Sequence, residues 1–94
     1  MSSEQPWSGR TLHFVGIGGA GMSGLALVAH ALGATVSGSD RAAGSPYLTP
    51  LRALGIEPIV GHDAANLPAG AELVASSAIP AENPERVAAR GRAA

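Results

Sequence analysis

The sequence predicts an α/β fold, a parallel sheet with helices on both of its faces. Three observations lead to this prediction. Short apolar strands alternate with helical segments, the connections between them are brief, and a glycine-rich loop follows the first strand. Strands this apolar are buried on both sides, and helical crossovers cover both sides of a parallel sheet. The 94-residue chain is therefore predicted to form one Rossmann-like domain, truncated after its fourth strand and the helix that follows it.

The first half of the chain contributes two strands and one long helix. Leu12–Val15 is the first predicted strand, and Gly21–Leu32 is the helix that follows it. Residues at three- and four-residue spacings predict one apolar face of this helix that lies on the sheet: Met22, Leu25, Ala26, Ala29 and Leu32. Gly33 ends the helix as a left-handed residue, and Ala34–Ser39 is the second predicted strand.

The second half contributes a short helix, two strands and a final helix. Ser45-Pro46 and Thr49-Pro50 are both cap-and-proline starts, so either can begin the second helix, which Gly55 ends. The remaining predicted elements are the strands Ile56–Val60 and Glu72–Ser76 and a helix that begins with Asn83, Pro84 and Glu85. The cap at Asn83 and the acid at Glu85 both suit the positive end of a helix dipole.

The composition is that of an ordinary globular protein without a basic surface. Hydrophobic residues make up 46% and charged residues 14% of the chain, and the formal net charge is −1, so we expect no nucleic-acid partner. The chain contains no cysteine, which excludes a disulfide framework and a thiolate metal site, and we expect no metal site here. No apolar run approaches the roughly 20 residues that span a bilayer, so we expect no membrane association.

Residues 1–10 form a polar segment that contains Pro6 and Gly9. They lack the apolar core of a secretory signal. We therefore expect a flexible N-terminal arm over residues 1–10, followed by a binding domain over residues 11–94. A cytoplasmic location is expected, because neither a signal nor cysteine is present.

The glycine-rich loop has the pattern Gly16-x-Gly18-x-x-Gly21 between a predicted strand and a predicted helix, the context in which this pattern indicates a nucleotide site. Gly16 is expected to permit a sharp turn, Gly18 a close approach of phosphate, and Gly21 close packing of helix on strand. Unpaired amides at the helix start then point at an anion. The alternative is a tight turn that binds nothing.

Asp40 follows the second predicted strand, about 20 residues beyond the loop, where an acid can accept hydrogen bonds from ribose hydroxyls. The alternative role for Asp40 is a helix or turn cap. Loop and acid together predict a nucleotide ligand. They leave open an NAD(P)-binding domain of a dehydrogenase, or a non-enzymatic module that senses a nucleotide.

Longer stretches of sequence indicate which class of nucleotide-binding protein the chain resembles. The string HFVGIGGAGMSGLA, residues 13–26, resembles the opening of the Mur ligases, and within that family the branch that joins L-alanine to UDP-N-acetylmuramate. The resemblance continues through VSGSD at 36–40, Gly61-His62, SSAI at 76–79 and NPE at 83–85. It covers nearly all of the chain after the arm.

The resemblance implies a first domain that holds the uridine-diphosphate end of UDP-N-acetylmuramate. The residues that would contact the diphosphate are Gly18, Gly19, Ala20, Gly21, Met22 and Ser23. Ser39 and Asp40 would face the uridine, and His62 would lie near the base or ribose. The path toward the sugar would be lined by Ser77, Ala78 and Ile79. His13 and His30 are assigned to structure.

The resemblance also implies what the chain lacks. Mur ligases use ATP and Mg²⁺ to make an acyl phosphate, which requires a phosphate-binding lysine and magnesium ligands. The chain contains neither a lysine nor a GxxxxGK[ST] element. We therefore expect no catalytic residue here, ATP-binding and amino-acid-binding domains in a missing C-terminal portion, and an unpaired sheet edge through which the isolated chain self-associates.

Overall fold

The computed structural model describes residues 5–93, which form one parallel sheet with helices packed against it. The strands are β1 (Thr11–Val15), β2 (Thr35–Asp40), β3 (Ile59–Val60) and β4 (Glu72–Ala75). The α-helices are α1 (Ala20–Ala31), α2 (Thr49–Ala53) and α3 (Pro84–Ala93), and 3₁₀ turns lie at Pro46–Leu48 and Ala64–Asn66. The predicted α/β class is confirmed.

The strand order is β3-β2-β1-β4, and every pairing is parallel. β1 lies in the middle, with Phe14 opposite Gly38 of β2 and Val74 of β4. The carboxyl ends of all strands therefore meet at one edge of the sheet. The third strand is shorter than predicted, because the amide of Ile56 donates to the carbonyl of Leu51 and closes α2.

Helices cover both faces of the sheet, as predicted. Leu12 and Phe14 lie two residues apart on β1, so their side chains point to one face of the sheet, and His13 between them points to the other face. Leu12 and Phe14 belong to the apolar core together with Ile17, Ala26, Ala29, Ala34, Leu48, Leu51 and Ile56. His13 instead contacts Glu85 of α3 on the other face.

The buried face of α1 agrees with the predicted one at Ala26 and Ala29 and differs from it at Leu25. Its buried side chains are Ser23, Ala26 and Ala29, whereas Leu25 is 53% exposed. The prediction of Leu25 as a core residue is therefore wrong. Small residues face the sheet because they let the helix axis lie close to it. Gly33 follows the helix with φ of +100°, which confirms the predicted left-handed stop.

Of the two predicted cap-and-proline starts, Ser45-Pro46 is confirmed, whereas Thr49 is not a cap, because the cap residue of α2 is Leu48 and α2 has no side-chain cap hydrogen bond. The hydroxyl of Ser45 accepts a hydrogen bond from the amide of Tyr47 and caps the 3₁₀ turn that Pro46 begins. That turn runs directly into α2, where Pro50 lies in the first turn. Leu48 of the 3₁₀ turn and Leu51 of α2 are both fully buried, so the two segments pack on the core together.

The described part of the expected arm packs on the domain. Residues 1–4 lie outside the described residues. The amide of Trp7 donates to the carbonyl of Leu32 at 2.9 Å, and the ring packs against the core. The Arg10 guanidinium lies 4.5 Å from the centre of that ring and bonds the carboxylate of Glu72. Among residues 5–93, none of the helices has the length and apolar character to cross a bilayer.

Candidate functional site

The glycine loop makes the expected sharp turn at the carboxyl edge of the sheet. Gly16 has φ of +79°, a conformation that favours glycine. The amides of Gly16 and Ile17 both donate to the carbonyl of Ser39, at 2.8 and 3.0 Å. These hydrogen bonds hold the loop against the end of β2, and the Ile17 side chain is buried in the apolar core.

The space beside Gly18 is taken by Asp40. The Gly18 amide donates to Oδ2 of Asp40 at 2.8 Å, and a Cβ atom at Gly18 would lie 2.9 Å from that oxygen. The Ser45 hydroxyl donates to the Gly18 carbonyl at 2.6 Å. The close approach that the sequence predicts at Gly18 is therefore made here by a carboxylate of the protein, which leaves Oδ1 of Asp40 with only a 3.4 Å contact to the amide of Ala42.

The start of α1 presents a row of amides. Gly19 is the cap residue and supplies no side-chain acceptor. Its own amide donates to Gly16, and intrahelical bonding begins with the Ser23 amide, which donates to Gly19 at 2.8 Å. The amides of Ala20, Gly21 and Met22 lie between them and have no acceptor within residues 5–93. They form a local positive site for an anion.

Ser23 is placed differently from what the resemblance implies. Its side chain is buried, and the hydroxyl donates to the carbonyl of Ala20 at 3.1 Å. This hydrogen bond lies within the first turn of α1, next to the amides of Ala20, Gly21 and Met22. As the structure stands, Ser23 does not present this hydroxyl to the surface.

The predicted role of Gly21 in close helix packing is wrong. A Cβ atom at Gly21 would meet nothing within 4 Å, because this position is exposed. The close approach occurs at Gly38 of β2 instead, where a Cβ atom would lie 2.5 Å from Cδ1 of Ile17 and 2.8 Å from the Phe14 carbonyl. The loop passes over β2 rather than β1, so the glycine that makes room for it lies in β2.

A groove of about 740 Å³ opens at the carboxyl edge of the sheet. Its lining includes these residues from the predicted site: Gly18, Gly19, Asp40, His62, Ala78 and Ile79. An adjoining hollow of about 520 Å³ is lined by two more, Gly21 and Met22. Ala20, Ser23, Ser39 and Ser77 line neither space.

Sequence reasoning missed three residues of the groove lining, namely Arg41, Pro80 and Glu82, and it assigned two others only to a turn and a helix cap, namely Gly16 and Asn83. Arg41 adds a cation beside the acid Asp40 and faces the same space as the acid Glu82. The position of Arg41 directly after Asp40 is the sequence feature that could have indicated its place in the groove. Glu82 and Asn83 carried no such signal, because they reach the groove only through the packing of α3.

The segment after β4 is held in a tight turn. The amide of Ala78 donates to the Ser76 hydroxyl at 3.2 Å, and the amide of Ile79 donates to the Ser76 carbonyl at 3.1 Å. The Arg86 guanidinium of α3 donates to the Ile79 carbonyl. These contacts orient Ala78 and Ile79 toward the groove.

A buried polar cluster lies directly behind the groove. Glu85 is its centre and is fully buried. Its Oε1 accepts from Nε2 of His13 and from the Ser39 hydroxyl, each at 2.7 Å. Its Oε2 faces Nδ2 of Asn66 at 2.9 Å, the amide of Asp63 at 3.2 Å and Nδ1 of His62 at 3.3 Å. One carboxylate thus joins α3 to β1, β2 and the His62 loop.

The cluster keeps Glu85 ionised. Burial raises the pKa of the Glu85 carboxyl, but hydrogen bonds from Ser39, Asn66, His13 and the Asp63 amide outweigh burial and hold this pKa below its ordinary value. Asn83 caps the N-terminus of α3, since its side-chain oxygen accepts from the Glu85 amide at 2.9 Å. The sequence predicted the cap at Asn83 and an acid at the positive end of the helix dipole, but it did not predict the polar cluster around Glu85.

The cluster also explains where two predicted residues lie. Ser39 is fully buried, and its hydroxyl is bonded to Glu85 rather than turned toward the groove. His62 bridges the cluster and the groove, because one ring nitrogen contacts Ser39 and Glu85 while the ring lines the cavity. In the described range, no group of three or more His, Asp or Glu side chains is arranged to hold a metal ion.

Comparison with known proteins identifies the family of the chain. The model of the Mur ligase family, catalytic domain, matches residues 11–93. The UDP-N-acetylmuramate–L-alanine ligase of Gluconacetobacter diazotrophicus is 55% identical over 87 residues, and that of Leptothrix cholodnii is 53% identical over 79 residues. These alignments cover 93% and 84% of the chain.

A solved structure gives the same result. The UDP-N-acetylmuramate-alanine ligase MurC of Thermotoga maritima aligns with a TM-score of 0.80 at 38% identity, over 88% of this chain and 19% of that one. The chain spans only 17–18% of the length of the two curated relatives. The family match and this structural match confirm the resemblance that the motifs predict, and the chain belongs to the Mur ligase family.

Proposed function

We propose that this chain forms the part of a UDP-N-acetylmuramate–L-alanine ligase that binds the uridine-diphosphate end of UDP-N-acetylmuramate. The observation that carries the proposal is the row of amides at Ala20, Gly21 and Met22, which have no acceptor within residues 5–93. Three amides at the positive end of a twelve-residue helix favour a diphosphate over a neutral group.

The groove beside these amides suits the rest of the nucleotide. Oδ1 of Asp40 has only the 3.4 Å contact to the Ala42 amide and would accept from ribose hydroxyls as well, while Oδ2 accepts from the Gly18 amide. His62 lines the same groove and would contact the base or ribose. Ala78 and Ile79 would border the path toward the sugar. For Ser23 and Ser39, a direct contact requires the hydroxyl to leave its present hydrogen bond, whereas Ser77 is exposed and lines neither the groove nor the adjoining hollow.

The whole enzyme would join L-alanine to the muramic acid carboxylate with ATP and Mg²⁺. This chain supplies no site for either, because it lacks both lysine and a GxxxxGK[ST] element. The relatives are more than five times as long as the matched segment, which leaves room for ATP-binding and amino-acid-binding domains. We expect the 94 residues to bind substrate without catalysing ligation, in the cytoplasm.

Calorimetric titration with UDP-N-acetylmuramate, UDP, UMP and NADH in parallel tests the proposal. UDP-N-acetylmuramate and UDP are expected to bind. UMP should bind at least about tenfold more weakly, because it loses charge-assisted hydrogen bonds worth about 1.5–3 kcal/mol each. Binding of NADH without any uridine nucleotide would overturn the proposal and favour a dehydrogenase domain.

A further inference from the structure

The two nitrogens of the His62 ring have different surroundings. Nδ1 lies 3.1 Å from the Ser39 hydroxyl oxygen and 3.3 Å from Oε2 of Glu85. Nε2 has no partner among residues 5–93, and the side chain is 18% exposed where the ring lines the groove. Which nitrogen carries the proton therefore decides what His62 offers to a ligand.

The hydrogen bonds around Glu85 determine this proton position. An ionised carboxylate accepts hydrogen bonds and cannot donate them. The single hydroxyl hydrogen of Ser39 is used toward Oε1 of Glu85 at 2.7 Å. Both atoms that face Nδ1 of His62 are therefore acceptors, so Nδ1 must carry a hydrogen.

We propose that Glu85 is a positioning residue that fixes His62 in the Nδ1–H form, so that Nε2 presents a lone pair to the groove. A lone pair accepts from an N–H or O–H group and repels a phosphate oxygen. On the proposed function, the part of the ligand that meets His62 is therefore a donor of the nucleoside, and the diphosphate lies at the start of α1.

His13 provides an internal contrast. Its Nε2 faces Oε1 of Glu85 at 2.7 Å, and its Nδ1 faces the Ser37 hydroxyl at 2.8 Å. The same argument assigns the hydrogen of neutral His13 to Nε2, with Nδ1 accepting from Ser37. One carboxylate thus holds two histidines in opposite tautomers.

Long-range ¹H–¹⁵N NMR spectra of the 94-residue chain, recorded at about pH 8.5 where unperturbed imidazoles are neutral, measure both tautomers directly. The expected result is Nδ1–H for His62 and Nε2–H for His13. A neutral His62 that is mainly Nε2–H would overturn the inference. This measurement needs neither a ligand nor a variant.

Glu85→Gln tests whether the carboxylate is the cause. Glutamine offers one acceptor and one donor where the carboxylate offers two acceptors. Its oxygen should face Asp63 and Asn66, which donate, so its amino group faces Ser39 and turns the Ser39 hydrogen toward His62. Nδ1 of His62 then faces one donor, the Ser39 hydroxyl, and one acceptor, the glutamine oxygen at the former Oε2 position. The Nδ1–H fraction of His62 is therefore expected to fall below that of the unsubstituted chain. A folded variant in which the Nδ1–H fraction of His62 is unchanged would count against the positioning role.

Two matched variants serve as controls. Ser37→Ala removes a partner of His13 alone, so the His62 tautomer should not change. Glu57→Gln removes an exposed carboxylate that pairs with Arg52 at 3.1 Å, so both histidines should keep their tautomers. A change of the His62 tautomer in either control would contradict the assignment to Glu85.

Addition of UDP separates this inference from the proposed function. If UDP binds, the Nε2 resonance of His62 should shift as it accepts a hydrogen bond, and an unshifted Nε2 would overturn the ligand contact. If no uridine nucleotide binds while the tautomers are as expected, the proposed function fails and the positioning role of Glu85 stands. If UDP binds and His62 is Nε2–H, the inference fails alone.

Discussion

Nε2 of His13 lies 2.7 Å from Oε1 of Glu85, and both side chains are fully buried. The two residues are 72 positions apart, on the central strand and on the last helix. This contact joins α3 to the sheet on the face opposite the apolar core. Its geometry makes Glu85 a determinant of stability as well as of the groove.

Glu85→Ala is expected to destabilise the domain by about 3–5 kcal/mol, because it leaves buried donors without their acceptor. The measurement is urea unfolding followed by circular dichroism. Glu57→Ala, which removes a surface partner of Arg52, should cost under about 1 kcal/mol. Equal losses in the two variants would contradict the central role of Glu85.

The free energy of unfolding of the unsubstituted chain should fall more steeply on acidification than that of Glu85→Gln. The folded pKa of Glu85 lies below the ordinary value of 4.5. The resulting stabilisation is therefore present above 4.5 and is lost as the pH falls through the folded pKa. Urea unfolding between about pH 6 and pH 3 measures it in both proteins. Parallel pH profiles would show that Glu85 contributes nothing to acid sensitivity.

Gly38→Ala is expected to cost about 1–3 kcal/mol or more, because the added methyl group would collide with Ile17 and the Phe14 carbonyl. Gly24→Ala is the matched control, since a Cβ atom at Gly24 would meet nothing within 4 Å. That change should stabilise α1 by about 0.5–1 kcal/mol, because alanine favours helix. Thermal unfolding of both variants distinguishes these opposite signs.

Ala20→Pro removes one of the three free amides without interrupting α1. Proline is tolerated at the first helical position, and Gly19 already has the extended conformation, with ψ of 152°, that precedes proline. UDP affinity should fall about tenfold or more, the effect of losing one hydrogen bond to a charged group. Gly24→Ala should leave the affinity unchanged. Full affinity in Ala20→Pro would remove this amide from the site.

The outer edge of β4 has no strand partner among residues 5–93, since β4 pairs with β1 alone. We expect the isolated chain to self-associate through this edge. Sedimentation velocity over a range of concentrations measures it. A monomer at every concentration would contradict the expectation.

Local patterns were enough to predict the fold class and the start of the site. Strand periodicity, proline and glycine positions and the spacing from Gly16 to Gly21 act over a few residues, so the amino-acid sequence alone determined the parallel α/β order and the turn at Gly16. It also determined family membership, because strings such as HFVGIGGAGMSGLA are specific without a structure.

Tertiary packing decided the rest. It turned Leu25 outward, transferred the close approach from Gly21 to Gly38 and made Asp40 the partner of Gly18. It also brought Glu85 to His13 and His62, which are far from it in sequence. Periodicity cannot encode such contacts, because whether a polar side chain is buried and bonded depends on which distant elements the sheet places beside it.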